Sequence, residues 1–298
     1  MYQIIRAFFG GIDYLEVDTP VLGIATSTDS HIESVRAVVN AKPYYLQTSP
    51  EFFMKRLLAE GCGSIFQICH AFRDEENGNR HAAEFTLLEW YSVGFDYMAL
   101  MVQLEQLVTR LIPGLPSFHR LSYFESFKRY LELDLTRAST DDCRHCVTVY
   151  IPGIKAGLLT RDDCLDLLIS QVIAKKFDGF TFIYDYPASQ ASLARIKLDN
   201  PLVAERFELF YNDLELANGF SELTDVVQQQ QRFENDNAKR RQLGRQACPI
   251  DEHFLLALEK GLPDCAGVAV GLDRLLMVMT GLQSIQQVMT MAATSQMR

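Results

Sequence analysis

Apolar residues recur along this chain with two periods, and the periods divide it into elements. Met98, Met101, Leu104, Leu107, Val108 and Leu111 lie three and four apart and predict a helix over Asp96–Leu111. Residues 1–9 predict a short helix, and Tyr14–Val17 a strand stopped by Thr19-Pro20. Strands are expected around His31–Val38 and Tyr44–Gln47, after which Ser49-Pro50 opens a helix to about Glu60. Ser64–Phe72 and Glu84–Val93 alternate as two strands around a polar loop containing Gly and Asn. Helices are further predicted over Ser122–Leu131, Asp163–Lys175, Thr224–Gln242 and Glu252–Gly261. Thr181–Tyr184 predicts a strand ending in Pro187, and Glu205–Tyr211 with Leu214–Leu216 a hairpin around Asn212-Asp213. Gly267–Val270 predicts a strand running straight into helix Leu272–Met279, which Gly281 closes. The stretch 134–163 follows neither period and is expected to be irregular. Many antiparallel strands with interspersed helices predict an α+β fold rather than a doubly wound parallel sheet.

Composition changes this picture only by exclusion. The 298 residues are 48% hydrophobic and 22% charged, with no repeat or low-complexity tract, which rules out disorder, collagen and a coiled-coil rod. No uncharged run approaches the ~20 residues of a membrane span, and the N-terminus lacks a signal-peptide pattern, so a cytoplasmic protein is expected. Seven scattered Cys form no disulfide framework and suit a reducing compartment. The 28 basic against 38 acidic side chains, a net charge of −10, weigh against non-specific nucleic-acid binding.

Three segments carry candidate chemistry. On a hairpin spanning Arg73 to Tyr91, Arg73 and Glu75 share one strand face, as do Phe85, Leu87, Glu89 and Tyr91 on the next. A face mixing guanidinium, carboxylates and rings requires ligands or partners for its charges if it is buried; a hairpin with incidental ion pairs is an equal reading at this point. Gly267–Arg274 runs from a small-residue strand into a helix whose first turn carries Arg274, within reach of a phosphate at the strand end. Plain strand–helix packing explains that segment as well, and it is not a P-loop. Glu215 and Glu222 flank Asn218-Gly219; a bulge there would bring both carboxylates to one side, where they could hold Mg2+ or an ammonium. A polar hairpin edge is the alternative.

Together these residues resemble a family. Phe72-Arg73-x-Glu75, a loop, then His81 and Phe85 is similar to motif 2 of the class II aminoacyl-tRNA synthetases. Gly267-x-Ala269-x-Gly271-x-Asp273-Arg274 resembles motif 3, and Tyr14-x-x-Val17-x-x-Pro20-Val21-Leu22 resembles motif 1, the dimer element. Thr48-Ser49-Pro50-Glu51, Glu89-Trp90-Tyr91 and Asn218-Gly219-Phe220-Ser221-Glu222 are similar to the lysine-specific branch. Within it, the chain resembles freestanding lysyl-tRNA synthetase paralogues that attach (R)-β-lysine to a lysine of translation elongation factor P. Motif 1 begins close to residue 13 and motif 3 ends near residue 281, so a single catalytic domain over 1–298 without an anticodon-binding domain is expected. Ala269 stands where lysyl-tRNA synthetases have the middle Gly of motif 3, as in the paralogues, and its methyl could reshape the pocket against α-lysine.

The resemblance implies a class II synthetase-like antiparallel β-sheet flanked by helices, ATP and Mg2+ as cofactors, and a cytoplasmic homodimer. It implies elongation factor P and (R)-β-lysine as partners, with no tRNA and no membrane. It further implies a ligase that makes an aminoacyl-adenylate and passes the acyl group to a protein lysine. Arg73 would contact the α-phosphate, Glu75 the adenine amino group, and Phe85 and Arg274 the two adenine faces, with Arg274 also at the γ-phosphate. His81 would sit near the terminal phosphates, with Asp74, Leu216 and Gly271 completing the nucleotide set. Glu215 and Glu222 would carry Mg2+, and Glu222 would share in binding amine. Ser49, Pro50, Glu51, Glu89, Tyr91, Asn218 and Ala269 would surround the amino acid, with Glu89 and Tyr91 on the distal ammonium. A lysyl-adenylate enzyme with another acceptor, including tRNA, is the alternative enzyme. A regulatory paralogue is the non-catalytic alternative, although such proteins typically lose an Arg that is present here as Arg73 or Arg274.

Departures from the pattern are local. Asp13 replaces the Gly seven residues before the motif 1 Pro, and Asp tolerates left-handed backbone, so the turn is expected to survive. Ala82 replaces an Asn near the nucleotide, which puts one ATP contact in doubt. Cys143, His145 and Cys146 resemble half a zinc site without a second ligand pair, so apolar packing is favoured. Trp90, opposite Glu89 and Tyr91, is expected in the core, and Lys239, Arg240, Arg241 and Arg245 on a solvated helix face.

Overall fold

The computed structural model describes residues 1–74 and 78–290. Helix α1 (Tyr2–Gly10) leads to strands β1 (Leu15–Glu16), β2 (Leu22–Gly23), β3 (Arg36–Val39) and β4 (Lys42–Leu46), then helix α2 (Glu51–Ala59). The long hairpin β5 (Ile65–Phe72) and β6 (Glu84–Val93) follows, then α3 (Tyr97–Leu111) and β7 (His119–Ser122). Next come α4 (Tyr123–Leu131), α5 (Thr140–Tyr150) and α6 (Arg161–Leu168), which precede β8 (Phe180–Pro187), β9 (Val203–Tyr211) and β10 (Leu214–Ser221). The chain then forms α7 (Val226–Gln242), α8 (Glu252–Gly261), β11 (Cys265–Gly271), α9 (Leu272–Thr280) and α10 (Ile285–Val288).

Eight strands form one sheet in the order β1-β5-β6-β11-β10-β9-β8-β7. Its pairings are antiparallel except β1 with β5 and β7 with β8. A smaller sheet pairs β2, β4 and β3. The expected α+β architecture holds.

Strand β6 lies centrally and is buried on both faces, so its polarity does not alternate simply with solvent. Leu88 and Trp90 point into a core made with α1, α3 and α9. Trp90 Nε1 donates to Gln103 Oε1 at 2.7 Å, which satisfies the one polar atom of the ring. Phe9 packs on both Phe66 and Trp90. Asp13 takes φ 59°, so the left-handed turn after α1 forms without a glycine. A second core lies between α4–α6 and strands β8 and β9.

Three differences from expectation have physical causes. Within 134–163, Thr140–Tyr150 is helical: Ser139 and Asp142 form a capping box, and Cys143, Cys146 and Val147 supply a narrow apolar stripe. The two cysteines act there as small apolar side chains, which hides the stripe from an aliphatic count. Residues 31–35 form no continuous strand: Glu33 makes one isolated bridge to Asp74, and the Ile32 carbonyl accepts from Arg240 Nη1. In the basic run at the end of α7, Arg241 is exposed and Lys239 half-exposed, but Arg240 is not solvated. Arg240 is 1% exposed, and its guanidinium also donates to Gln246 O and to Glu33 Oε2 at 2.7 Å, where Arg245 joins it.

Replacing Arg240 by Met leaves Glu33 without its main partner and strands buried carbonyls. Such a change is expected to cost roughly 3–5 kcal/mol, measured by urea denaturation; a solvated arginine would change stability by less than about 0.5 kcal/mol.

Candidate active site

Directly paired residues of neighbouring strands share a face, and two such rows build the site. The first is Gln67 on β5, Glu89 on β6, Ala269 on β11, Asn218 on β10 and Glu208 on β9. The second is Ile65, Tyr91, Gly267, Phe220 and Arg206 on the same strands. Ala269 therefore lies between Glu89 and Asn218, and Gly267 between Tyr91 and Phe220. Helices α2 and α8 cover this face through Met54, Leu58, Phe254 and Leu258, which pack on Ile65 and Tyr91.

One end of the resulting cavity is acidic. Ser49 Oγ donates to Glu89 Oε2 at 2.6 Å, and the Tyr91 hydroxyl donates to Glu89 Oε1 at 2.7 Å. Burial, reinforced by the Glu51 charge, still pushes the Glu89 carboxyl up to about 7, against the pull of these two hydrogen bonds. Glu222 is fully buried just past β10, and burial pushes it up to about 8, while Lys55 opposes the rise. Lys55, itself 1% exposed, pairs with Glu51 Oε1 at 2.5 Å and with Glu222 Oε2. Burial alone would lower its pKa; the Glu222 and Glu51 carboxylates overcome that and hold it above the ordinary lysine value. Gly267 is required here: a Cβ would stand 2.3 Å from the Tyr91 ring and 2.6 Å from Glu222 Oε1.

The other end is cationic. The Arg73 guanidinium carbon lies 5.1 Å from the centre of the Phe85 ring. Arg274, in the first turn of α9, donates from Nη1 to Glu215 O at 2.9 Å and from Nε to Arg80 O at 3.2 Å. Arg80 forks onto Asp213 at 2.8 and 3.1 Å, and Ile285 N donates to Asn79 O, so the β5–β6 loop is tied down from two sides. Asp273 accepts from Thr86 N at 2.6 Å, which joins α9 to the start of β6.

Ser49, Glu51, Arg73, His81, Phe85, Glu89, Tyr91, Glu215, Leu216, Asn218, Glu222, Ala269, Gly271 and Arg274 all line one cavity of about 290 Å³. Two expected members do not. Pro50 caps α2, and Asp74 faces a shallow surface depression beside Glu33, with its N–H donating to Glu33 O. Glu75 lies outside the described residues. The bulge that turns Glu215 to the side of Glu222 falls between Glu215 and Ala217, not at Asn218-Gly219. Gly219 serves packing instead, since a Cβ there would stand 2.6 Å from the Phe207 ring and 2.8 Å from Val268. Cys143 and Cys146 are buried in the helical core, and among the described residues no three His, Cys, Asp or Glu side chains converge on a metal position.

Sequence reasoning missed Lys55 and Arg206. Lys55 stands four residues after Glu51, a spacing that ordinarily marks a surface pair on a helix. Arg206 donates to Asn218 Oδ1 at 3.1 Å, to Gln190 O at 2.7 Å and to Glu208 Oε1 at 2.6 Å, over the Tyr186 ring. It thereby fixes the Asn218 amide, whose oxygen already has a cationic partner.

The model of the family described as tRNA synthetases class II (D, K and N) matches residues 1–295. Proteins named Elongation factor P–(R)-beta-lysine ligase from Salmonella dublin, Salmonella paratyphi B and Salmonella heidelberg are each 44% identical over 293 residues. Those matches cover 95% of this chain and 90% of each relative.

Gly267→Ala is expected to displace Tyr91 and Glu222, lower stability by about 1–3 kcal/mol and weaken binding of a cationic amino acid. Thermal melting and equilibrium titration with lysine measure the two effects; unchanged values in both would contradict the close packing described here.

Proposed function

The chain belongs to the class II tRNA synthetases, and from that premise we propose that it is a ligase that activates (R)-β-lysine with ATP and transfers it to a lysine of translation elongation factor P. One observation carries the reading: a single cavity with a carboxylate-rich end at Glu51, Glu89 and Glu222 and an arginine end at Arg73 and Arg274. A diamino acid with a reacting carboxylate suits the first end, and a nucleotide the second. The 44% identity to the ligases of that name supports the choice of substrate and acceptor.

In the first step the amino acid's carboxylate attacks the α-phosphate, and pyrophosphate leaves. Arg73 and Arg274 hold the charge that develops on the phosphate oxygens, already in place and fixed by ring and carbonyl contacts. Phe85 offers its face to adenine and His81 lies toward the terminal phosphates; the adenine amino group is assigned to Glu75 by the family resemblance alone. Leu216 and Gly271 shape the nucleotide's side of the cavity. At the other end Glu89, held by Ser49 and Tyr91, takes the distal ammonium, and Glu51 and Glu222 lie near the amine closer to the carboxylate. In the second step the ε-amine of the acceptor lysine attacks the activated carbonyl and AMP leaves. No covalent bond to the enzyme forms; positioning and charge stabilisation carry the rate.

Mg2+ fits one side of this site. Glu215 is half-exposed in the cavity, with Arg274 Nη1 a loose 3.8 Å from its Oε2, whereas Glu222 is committed to Lys55. Glu215 with phosphate oxygens and water would hold the ion, which neutralises phosphate charge when bound. Residues 1–298 act as one catalytic domain in the cytoplasm, without tRNA. Exposed Leu15, Val21, Leu22, Ile24 and Val38, around the motif 1 segment, favour a homodimer.

Incubating elongation factor P with this protein, ATP, Mg2+ and (R)-β-lysine is expected to add one β-lysyl group to one lysine, read by mass spectrometry. Arg274→Ala is expected to lower the rate at least about 100-fold; an unmodified factor with wild-type protein overturns the reading. Ala269→Gly is expected to move ATP–pyrophosphate exchange toward L-α-lysine by about tenfold, because the only methyl between Glu89 and Asn218 is lost.

A further inference from the structure

Lys55 takes no part in the chemistry above, yet it is the most completely buried cation next to the amine pocket. It does not line the cavity; it lies behind it, within a shell of substrate-facing carboxylates. From its own helix Glu51 faces it, and Glu222 faces it from the end of β10. Glu89 on β6 lies close enough to feel its charge, as does the Cys265 thiol on β11. The Tyr91, Phe220 and Phe254 rings stand 5.3–6.0 Å from its Nζ and exclude water. Asp251, another acid lining the cavity, is engaged as the N-cap of α8, and Arg206, which also lines it, is paired with Glu208. A lysine that served only to fill space would not need two carboxylates, and a pocket that served only to attract cations would not enclose one of its own.

We propose that Lys55 is the fixed counter-cation of the amine pocket, cancelling one of three carboxylate charges and leaving two for the two ammonium groups of a diamino acid. This rests on the diamino-acid reading above. Lys55 is thus a positioning residue: it acts through Glu51 and Glu222 and touches no substrate. With Lys55 present, Glu89 and Glu222 ionise at lower pH than burial alone would allow, so an arriving ammonium has less protonation to overcome. Without it, a buried carboxyl retains a proton that the incoming ammonium must displace. Binding is then gained only at higher pH.

The test is ATP–pyrophosphate exchange with (R)-β-lysine and with L-α-lysine between pH 6 and 9, alongside calorimetric titration of 1,5-diaminopentane. Lys55→Met is expected to raise the amino-acid KM about tenfold or more at pH 7 and to move the acid limb of kcat/KM up by about one pH unit. The ATP KM and the kcat at saturating amino acid are expected to stay within about threefold. Lys55→Arg is expected to return the limb toward wild type. Two further variants separate charge from packing and cover a single variant that folds poorly. Glu222→Gln leaves the pocket one charge short, and adding Lys55→Met to it restores two, so the double variant is expected to bind the diamine more tightly than Glu222→Gln alone. A structural role predicts the opposite order, and that order, or an unmoved acid limb in Lys55→Met, overturns the proposal. If wild-type protein exchanges neither lysine, the ligase reading falls by itself, and the diamine titration still decides the charge count.

Discussion

Removing a carboxylate from water costs several kcal/mol unless charge and hydrogen bonds replace the solvent. One face of the large sheet holds Glu89 and Glu222 almost without exposure, with Glu51 beside them. Much of the surrounding structure follows from that constraint. Ser49 and Tyr91 bond both oxygens of Glu89. Lys55 answers Glu51 and Glu222 together, which requires α2 to start at Glu51 and to pass directly over the end of β10. Helix α8 then closes the pocket with Phe254, stacked on Phe52 at 4.8 Å. A sheet face that only had to be stable would hold apolar side chains here, so the charges stand for binding rather than folding.

The opposite end of the cavity solves a different problem with the same economy of motion. An arginine that meets phosphate keeps more of its charge when neutral groups, rather than a close carboxylate, orient it. Arg274 is oriented by two backbone carbonyls, with Glu215 Oε2 at 3.8 Å, so its charge stays available. The carbonyl of Arg80 belongs to the β5–β6 loop and that of Glu215 to β10, and Asp273 binds the start of β6. Three segments distant in sequence thus meet at one helix turn. The groups are held before any ligand arrives, which is what electrostatic stabilisation of a transition state requires.

The fold was legible where periodicity is strong and where caps are explicit. The β5–β6 hairpin, α3 and the β11–α9 step all follow the alternation and helical spacing of their apolar residues. Helix α5 was not legible, because its buried stripe is Cys143, Cys146 and Val147 and cysteine is usually read for chemistry. The site was legible at positions where side-chain type implies function, and obscure where a residue works through another. Lys55 reads as one half of a surface helix pair, and only the closure of α8 and β11 over it makes it a buried cation. Gly219 reads as a bulge for the same reason: its need for space arises from Phe207 and Val268 on neighbouring strands, which local sequence does not reveal.

Strand β11 shows how finely this face is divided. Gly267 and Ala269 are two residues apart and share the site face, so both face the amino-acid end of the cavity. At Gly267 a methyl group would collide with Tyr91 and Glu222, so the absence of a side chain is what allows the ring and the carboxylate to cross the strand. At Ala269 the methyl is accommodated, flanked by Glu89 on one strand and Asn218 on the other. Glu89 is anchored by Ser49 and Tyr91, and Asn218 by Arg206, so neither flank can retreat without breaking a buried hydrogen bond. The space above Ala269 is therefore set by rigid neighbours, and a shift of one carbon in where an amine or carboxylate sits on the ligand has to be met by that methyl. On the proposed ligase reading, selectivity between α- and β-amino acids rests on a single carbon of the protein held between two hydrogen-bonded polar groups.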